Sequence, residues 1–312
     1  MDWCEMTTKK AVALNPIPSR LSFGGHESFP FRLGWIRKGV KAVAHPNAFN
    51  AEDAVVRLGV GKNMVKSIRA WCLATQMLEE GAVTGTSRIR PLTPSTVARI
   101  VFSEQGDPYL EDPASLWLLH WLLITNPDRM SLWRIAFMYS RENEFTKSDL
   151  VSLVKFQGEK AGQMTEDSAI GRDVDVFVRT YVAGRASSTE EDFSCPLTEL
   201  GLISSGGGDR YAFVVGPKRT LPARVFGFAF LQYLRSKESR ECSLSDATYY
   251  PGSPGQAFKL DEDSVVAYLR ELAERDPSQW LVDVDGPIRR VGTKGEISPA
   301  GLLEMHYLES LG

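Results

Sequence analysis

The stretch AEDAVVRLGVGKNMVKSIRAWCLATQMLEEGAVTGTSRIR, residues Ala51 to Arg90, decides how the chain reads. Ala51–Leu58 has the pattern of a short helix with Ala54, Val55 and Leu58 on one face. Gly59-Val60-Gly61 interrupts it, because glycine accepts the positive φ of a tight turn. From Lys62 to about Leu78 there is neither Gly nor Pro, and Val65, Ile68 and Cys72 recur at helical spacing as an inward face. Lys62, Lys66 and Arg69 share a different face, with Asn63 beside them in the first turn. A short helix, a glycine turn and a helix with one apolar and one basic face is the pattern of a helix-turn-helix. Glu79-Glu80-Gly81 ends the helix. Ala82-Val83-Thr84 and Ser87–Pro91 then flank Gly85, which suits a two-stranded wing. Arg88 and Arg90 alternate with Ile89 and would point to one side of that strand. A wing beside the recognition helix places such arginines near phosphate or a minor groove. A small packing unit with a solvated basic face, or a protein-binding module, would share this pattern.

Gly61-Lys62 is not a nucleotide loop. The phosphate-loop pattern needs a second glycine where Val56 stands, a hydroxyl residue where Asn63 stands, and a strand where this chain has a helix.

Upstream, Leu21–Trp35 (LSFGGHESFPFRLGW) is dense in glycine and aromatic residues. Ser28 and Pro30 suit a helix start, and the following helix, about Phe31–Ala44, would turn Leu33, Ile36, Val40 and Val43 inward. Arg32 then joins the outer basic face. His26-Glu27-Ser28 follows a glycine pair and reads as a partner or ligand contact, or as a turn whose His and Ser satisfy local backbone groups. The turn is preferred, because nothing else in the sequence assembles with these residues into a known catalytic set.

Downstream, Ala114–Thr125 is apolar nearly all round and reads as a buried helix in which His120 is a core histidine. Helices follow at Leu132–Tyr139, Lys147–Gly158 and Thr165–Val182. Ser194–Leu202 and Tyr211–Val215 read as strands around a glycine tip. The last third repeats the opening order: helices at Pro222–Ser236 and Asp261–Glu274, a hairpin over Trp280–Asp285 and Ile288–Gly292, and a helix at Ser298–Leu308. Tyr249–Phe258 reads as a turn-rich loop. Glu262, Asp263, Glu271 and Glu274 make the Asp261–Glu274 helix acidic, which suits a protein partner better than phosphate.

The expected architecture is therefore mainly α with short β-hairpin wings: winged helix-turn-helix domains joined by a helical middle domain. Residues 1–20 form an arm, 21–104 a winged domain, 105–184 the helical middle, 185–219 a strand-containing connector and 220–312 a second winged-helix-like domain. Residues 1–104 hold 14 Lys and Arg against 8 Asp and Glu, a net of +6, whereas residues 105–312 carry −9. Attraction for a polyanion is thus concentrated in the first third. The four cysteines lie far apart with no CxxC pair, which argues against a zinc or iron–sulfur site and fits a reducing cytoplasm. No segment has the form of a signal peptide or a membrane span.

The stretches Phe23–Trp35, Asp53–Thr75, Asp107–Leu123 and Ser253–Leu269 resemble a bacterial family catalogued only as a domain of unknown function. Genes of that family resemble companions of DNA phosphorothioation and phage-defence systems, which carry a PAPS-reductase-like sulfur-transfer enzyme. The resemblance implies a DNA-linked accessory role and supplies no catalytic residues. The expectation is a non-catalytic, cytoplasmic protein that needs no cofactor or metal and brings a sulfur-transfer or nuclease partner to double-stranded DNA. Lys62, Asn63, Lys66, Arg69, Arg88, Arg90 and Arg32 would contact the DNA, and His26, Glu27 and Ser28 a partner or ligand. A winged-helix transcriptional regulator, homodimeric on a palindrome, is the alternative. An enzyme centred on the His26 loop is a third reading, with no metal cluster, nucleophile elbow or carboxylate pair behind it.

Overall fold

The computed structural model describes residues 20–45, 47–50, 52–82, 90–184 and 195–310. Among them, helices alternate with three small antiparallel sheets. The first unit comprises α1 (Trp35–Ala42), α2 (Ala54–Leu58), α3 (Lys62–Ala74) and the paired strands β1 (Leu78–Glu80) and β2 (Leu92–Pro94). After α4 (Thr96–Val101) and α5 (Pro113–Thr125), a second unit runs α6 (Ser131–Tyr139), β3 (Glu144–Phe145), α7 (Lys147–Lys160), α8 (Asp167–Tyr181), β4 (Ile203–Gly207) and β5 (Arg210–Phe213). The third runs α9 (Ala223–Ser236), β6 (Glu241–Ser243), α10 (Leu244–Tyr249), α11 (Pro254–Phe258), α12 (Glu262–Arg275), β7 (Trp280–Asp283), β8 (Arg290–Thr293) and α13 (Pro299–Ser310). In the second and third units the early strand pairs with the last strand of the hairpin, giving the orders β3-β5-β4 and β6-β8-β7. One element order, helix, strand, helices, hairpin, thus serves both, and among the described residues the first unit shows it without the early strand.

Several sequence expectations shift. The first helix starts at Trp35, not Phe31. Gly34, at φ 82°, precedes it, and Ser28, at φ 67°, lies in the loop before it and is not its cap. Phe31 takes the core position, leaving Leu33 56% exposed. α3 ends at Ala74 because Gln76 turns left-handed, which frees Leu78 to open the hairpin. The described hairpin strands are Leu78–Glu80 and Leu92–Pro94, while residues 83–89, which hold most of the expected strands Ala82–Thr84 and Ser87–Pro91 and include Arg88, lie outside the described residues. Pro196 begins a 3-10 turn, Pro196–Leu200, in place of the expected strand, and Ser253 caps α11 inside the expected loop.

Helices α1 and α3 cross closely at Gly39, where any Cβ would collide with the Cys72 sulfur. Val65, Ile68 and Cys72 are buried, as their spacing predicts. The middle of the molecule is α5, buried on every side from Ala114 to Thr125. Its N-terminus is fixed by Asp112, which accepts the Ala114 amide, and by Pro113 in the first turn. His120 lies between the Tyr181 hydroxyl at 2.8 Å and the Ala257 carbonyl at 3.0 Å. Burial, with the Lys259 charge nearby, pushes its pKa down to about 3. One hydrophobic cluster runs from Leu21 to Tyr307 through all three units, and a smaller one, including Ala54, Leu58 and Val65, lies beneath α2.

Two lysines enter this interior. Lys259 Nζ donates to the Phe137 carbonyl at 2.7 Å, and Lys218 Nζ donates to the carbonyls of Val214 at 2.7 Å and Gly216 at 2.9 Å. Burial lowers Lys259 to about 7, helped by the Lys218 charge, and lowers Lys218 to about 8 against the pull of Asp261. Unfolded lysines titrate at about 10.4. Between the folded and unfolded values the unfolded chain holds more protons, so stability rises with pH from about 7 towards 10. Urea midpoints are expected to climb across that window, and Lys259→Met to flatten the climb. An equally steep climb in the variant would remove Lys259 as its source.

Candidate nucleic-acid interface

α3 presents its first turn to solvent because its opposite face is committed to the core. Val65, Ile68, Trp71 and Cys72 are buried, while Lys62, Asn63 and Lys66 are exposed. Gly61 precedes the helix without a side-chain cap, and the first turn carries no acid. A helix N-terminus in that state favours an anion.

Against this turn lies the loop Gly24–Ser28. Gly24 and Gly25 adopt φ of 73° and 81°, and Glu27 and Ser28 are also left-handed at 47° and 67°. A carboxylate from α8 holds this geometry. Asp173, 1% exposed, accepts the Gly24 amide at 2.9 Å and His26 Nε2 at 3.0 Å. The Ser28 amide donates to His26 Nδ1 at 3.1 Å. An amide can only donate, so Nδ1 is the acceptor and the ring proton sits on Nε2, facing Asp173. The ring packs edge-on to Trp133, with centroids 5.9 Å apart, and Ser67 Oγ donates to the His26 carbonyl at 3.0 Å. Arg179 of α8 donates to the Ser28 carbonyl at 2.9 Å. The loop, α3 and α8 enclose a cleft of about 450 Å³ whose lining includes Gly24, Gly25, His26, Ser28, Asn63 and Arg172.

Two groups that the sequence leaves apart are therefore one site. Asn63 borders the cleft together with His26, Glu27 and Ser28, and Lys66 reaches Glu27 at 3.4 Å. Asp173 and Arg172, some 150 residues away along the chain, are not legible as part of it, since their mixed charges read as a solvated helix face. Arg69 departs from the expected basic face: its guanidinium pairs with Glu80 at 2.8 Å, and Glu80 also holds Arg129 at 3.1 Å. Two arginines closing on one β1 carboxylate draw Arg69 towards the hairpin and leave it only 34% exposed. Arg32 is half-buried in the loop before α1, with its guanidinium 5.7 Å from the Trp35 ring centre. Arg90 is exposed just before β2, and Arg88 lies outside the described residues.

On the third unit, Arg289 pairs with Glu262 at 2.9 Å, and Arg290 with Glu241 at 3.4 Å and Asp283 at 3.7 Å. These are the arginines that interrupt its acidic pattern, and they are matched to carboxylates. Among the described residues no three His, Cys, Asp or Glu side chains gather as a metal-holding group, and no helix is long and apolar enough to cross a membrane.

The chain is similar to the protein of a solved structure titled "Magnesium ion-bound SspB crystal structure", at 32% identity over 94% of this chain and 88% of that one, with a TM-score of 0.83. It is similar to a second, "SspB crystal structure", at 33% identity over 95% and 89% of the two chains, again with a TM-score of 0.83. No curated protein matches it significantly. Residues 23–307 match the family described as "Protein of unknown function (DUF4007)". With that match spanning the chain from the Gly24–Ser28 loop to the last helix, this protein belongs to the DUF4007 family.

Proposed function

We propose that this protein is a DNA-contacting accessory component of a phosphorothioation-type modification or defence system. The first unit acts as a winged helix-turn-helix domain with α3 as its recognition helix. The observation that carries the reading is the division of α3: a buried face of Val65, Ile68, Trp71 and Cys72, and an exposed first turn of Lys62, Asn63 and Lys66. Exposed lysines at a helix start meet phosphate oxygens, and an asparagine among them can reach a base edge. The basic excess of residues 1–104 supports the same end of the chain as the DNA side. The likeness to SspB supports the system assignment.

The third unit has the element order of a winged domain, with its hairpin arginines bound to its own carboxylates. On α12 Glu262 is paired with Arg289 and Glu271 with Arg275, which leaves Asp263 and Glu274 as the exposed acidic groups offered to a basic partner protein, such as a PAPS-reductase-like or nuclease enzyme.

The reading assigns no bond-breaking step to this chain. One SspB structure is titled as magnesium-bound, and in this chain's cleft Asp173 accepts from His26 Nε2 and the Gly24 amide. Fluorescence anisotropy with a labelled duplex is expected to show binding that weakens steeply as salt rises. Supercoiled plasmid incubated with the protein and magnesium is expected to stay supercoiled. No duplex binding at low salt would refute DNA contact, and conversion of plasmid to open circles would refute the non-catalytic role.

A further inference from the structure

The cleft between the Gly24–Ser28 loop and α8 is larger than a packing gap and is lined by polar groups from elements far apart in the chain. We propose that it is a seat for one sugar-phosphate unit of the nucleic-acid backbone, and that Arg172 of the second unit is its phosphate ligand. The inference rests on the DNA-contacting reading of α3 and extends the contact surface beyond that helix.

Four observations support it. The volume of about 450 Å³ is within the range of small-ligand sites. Gly24 and Gly25 lack a Cβ, and at Gly24 even an added Cβ would meet nothing within 4 Å, so a ligand can approach the backbone. The buried carboxylate in the wall, Asp173, is engaged by His26 and the Gly24 amide, and Glu27 lies 3.4 Å from Lys66 in an exposed pair. Arg172 is exposed and borders the cleft together with Asn63, so a phosphate there would meet a guanidinium from α8 and the first turn of α3. His26 and Asp173 act as positioning residues, since they fix the loop that forms the wall. Lysine–phosphate attraction alone would need only α3. A built cleft with an arginine from a distant helix fixes the register of the backbone as well.

The test uses the full-length protein and a labelled duplex. Arg172→Glu is expected to weaken binding about tenfold and to lower the slope of log affinity against log salt by roughly one. Arg172→Lys should recover most of the affinity, because it restores the charge. Arg240→Glu, an exposed arginine of the third unit, should bind as the parent does. Thermal melts should match across the set, because Arg172 and Arg240 are both exposed. If Lys62→Glu weakens binding and Arg172→Glu does not, the cleft is not a phosphate seat and α3 remains the DNA contact. If the parent protein binds no duplex at all, the cleft proposal fails together with the reading beneath it.

Discussion

Reversing the charges of Lys62 and Lys66 together is expected to remove most duplex binding while leaving the fold in place. Written as Lys62→Glu with Lys66→Glu, the variant changes two exposed side chains on the face of α3 that turns away from Val65 and Ile68. Each lost phosphate contact removes one released counterion, so the salt slope should fall by about two, and affinity at low salt by at least about tenfold. The reversed charges add repulsion and should deepen that loss. Lys66 also holds Glu27 at 3.4 Å, but the pair is solvent-exposed, and such pairs contribute roughly 0–1 kcal/mol. Thermal stability should therefore hardly change. Arg69→Ala is the informative contrast. Arg69 is committed to Glu80, so its removal should leave affinity nearly intact and loosen the hairpin instead. Unchanged binding in the double reversal, measured by anisotropy across a salt series, would eliminate α3 as the DNA reader.

Asp173→Ala should be the most destabilising single change at the site. It strips the acceptor from two donors, the Gly24 amide and His26 Nε2, both within 3.0 Å of Asp173 Oδ1. A buried donor left without a partner costs about 1–3 kcal/mol, which applies to His26, whereas the part-buried Gly24 amide borders the cleft and adds less. Asp173→Asn keeps one carboxamide oxygen and should cost less. Ile68→Ala, at a fully buried position of α3, provides the scale for an apolar defect, at about 2–5 kcal/mol. Urea denaturation measures all three. If Asp173→Ala matches the parent protein, the loop does not depend on that carboxylate, and the left-handed backbone from Gly24 to Ser28 must be held by other contacts.

The same residues show why parts of the site are legible in the sequence and parts are not. Helical spacing within one element is a local property, so the burial of Val65, Ile68 and Cys72, the exposure of Lys62 and Lys66, and the core position of His120 follow from the order of residues. Helix ends are less readable. Glu27, Ser28 and Gln76 adopt left-handed conformations that no local rule demands of them, and these move the start of α1 and the end of α3.

By itself, the sequence determined a mainly helical chain with small hairpins, a basic first third, an acidic remainder and the two faces of α3, because each depends on composition or on periodicity along a single element. Only the tertiary structure decided that Asp173 fastens the His26 loop, that Arg172 and Asn63 border one cleft, and that Arg69 belongs to Glu80. Those contacts join residues from different elements, and a hydrogen bond or ion pair leaves no periodic trace in the order of amino acids. It forms only where packing of the apolar faces has already brought the elements together.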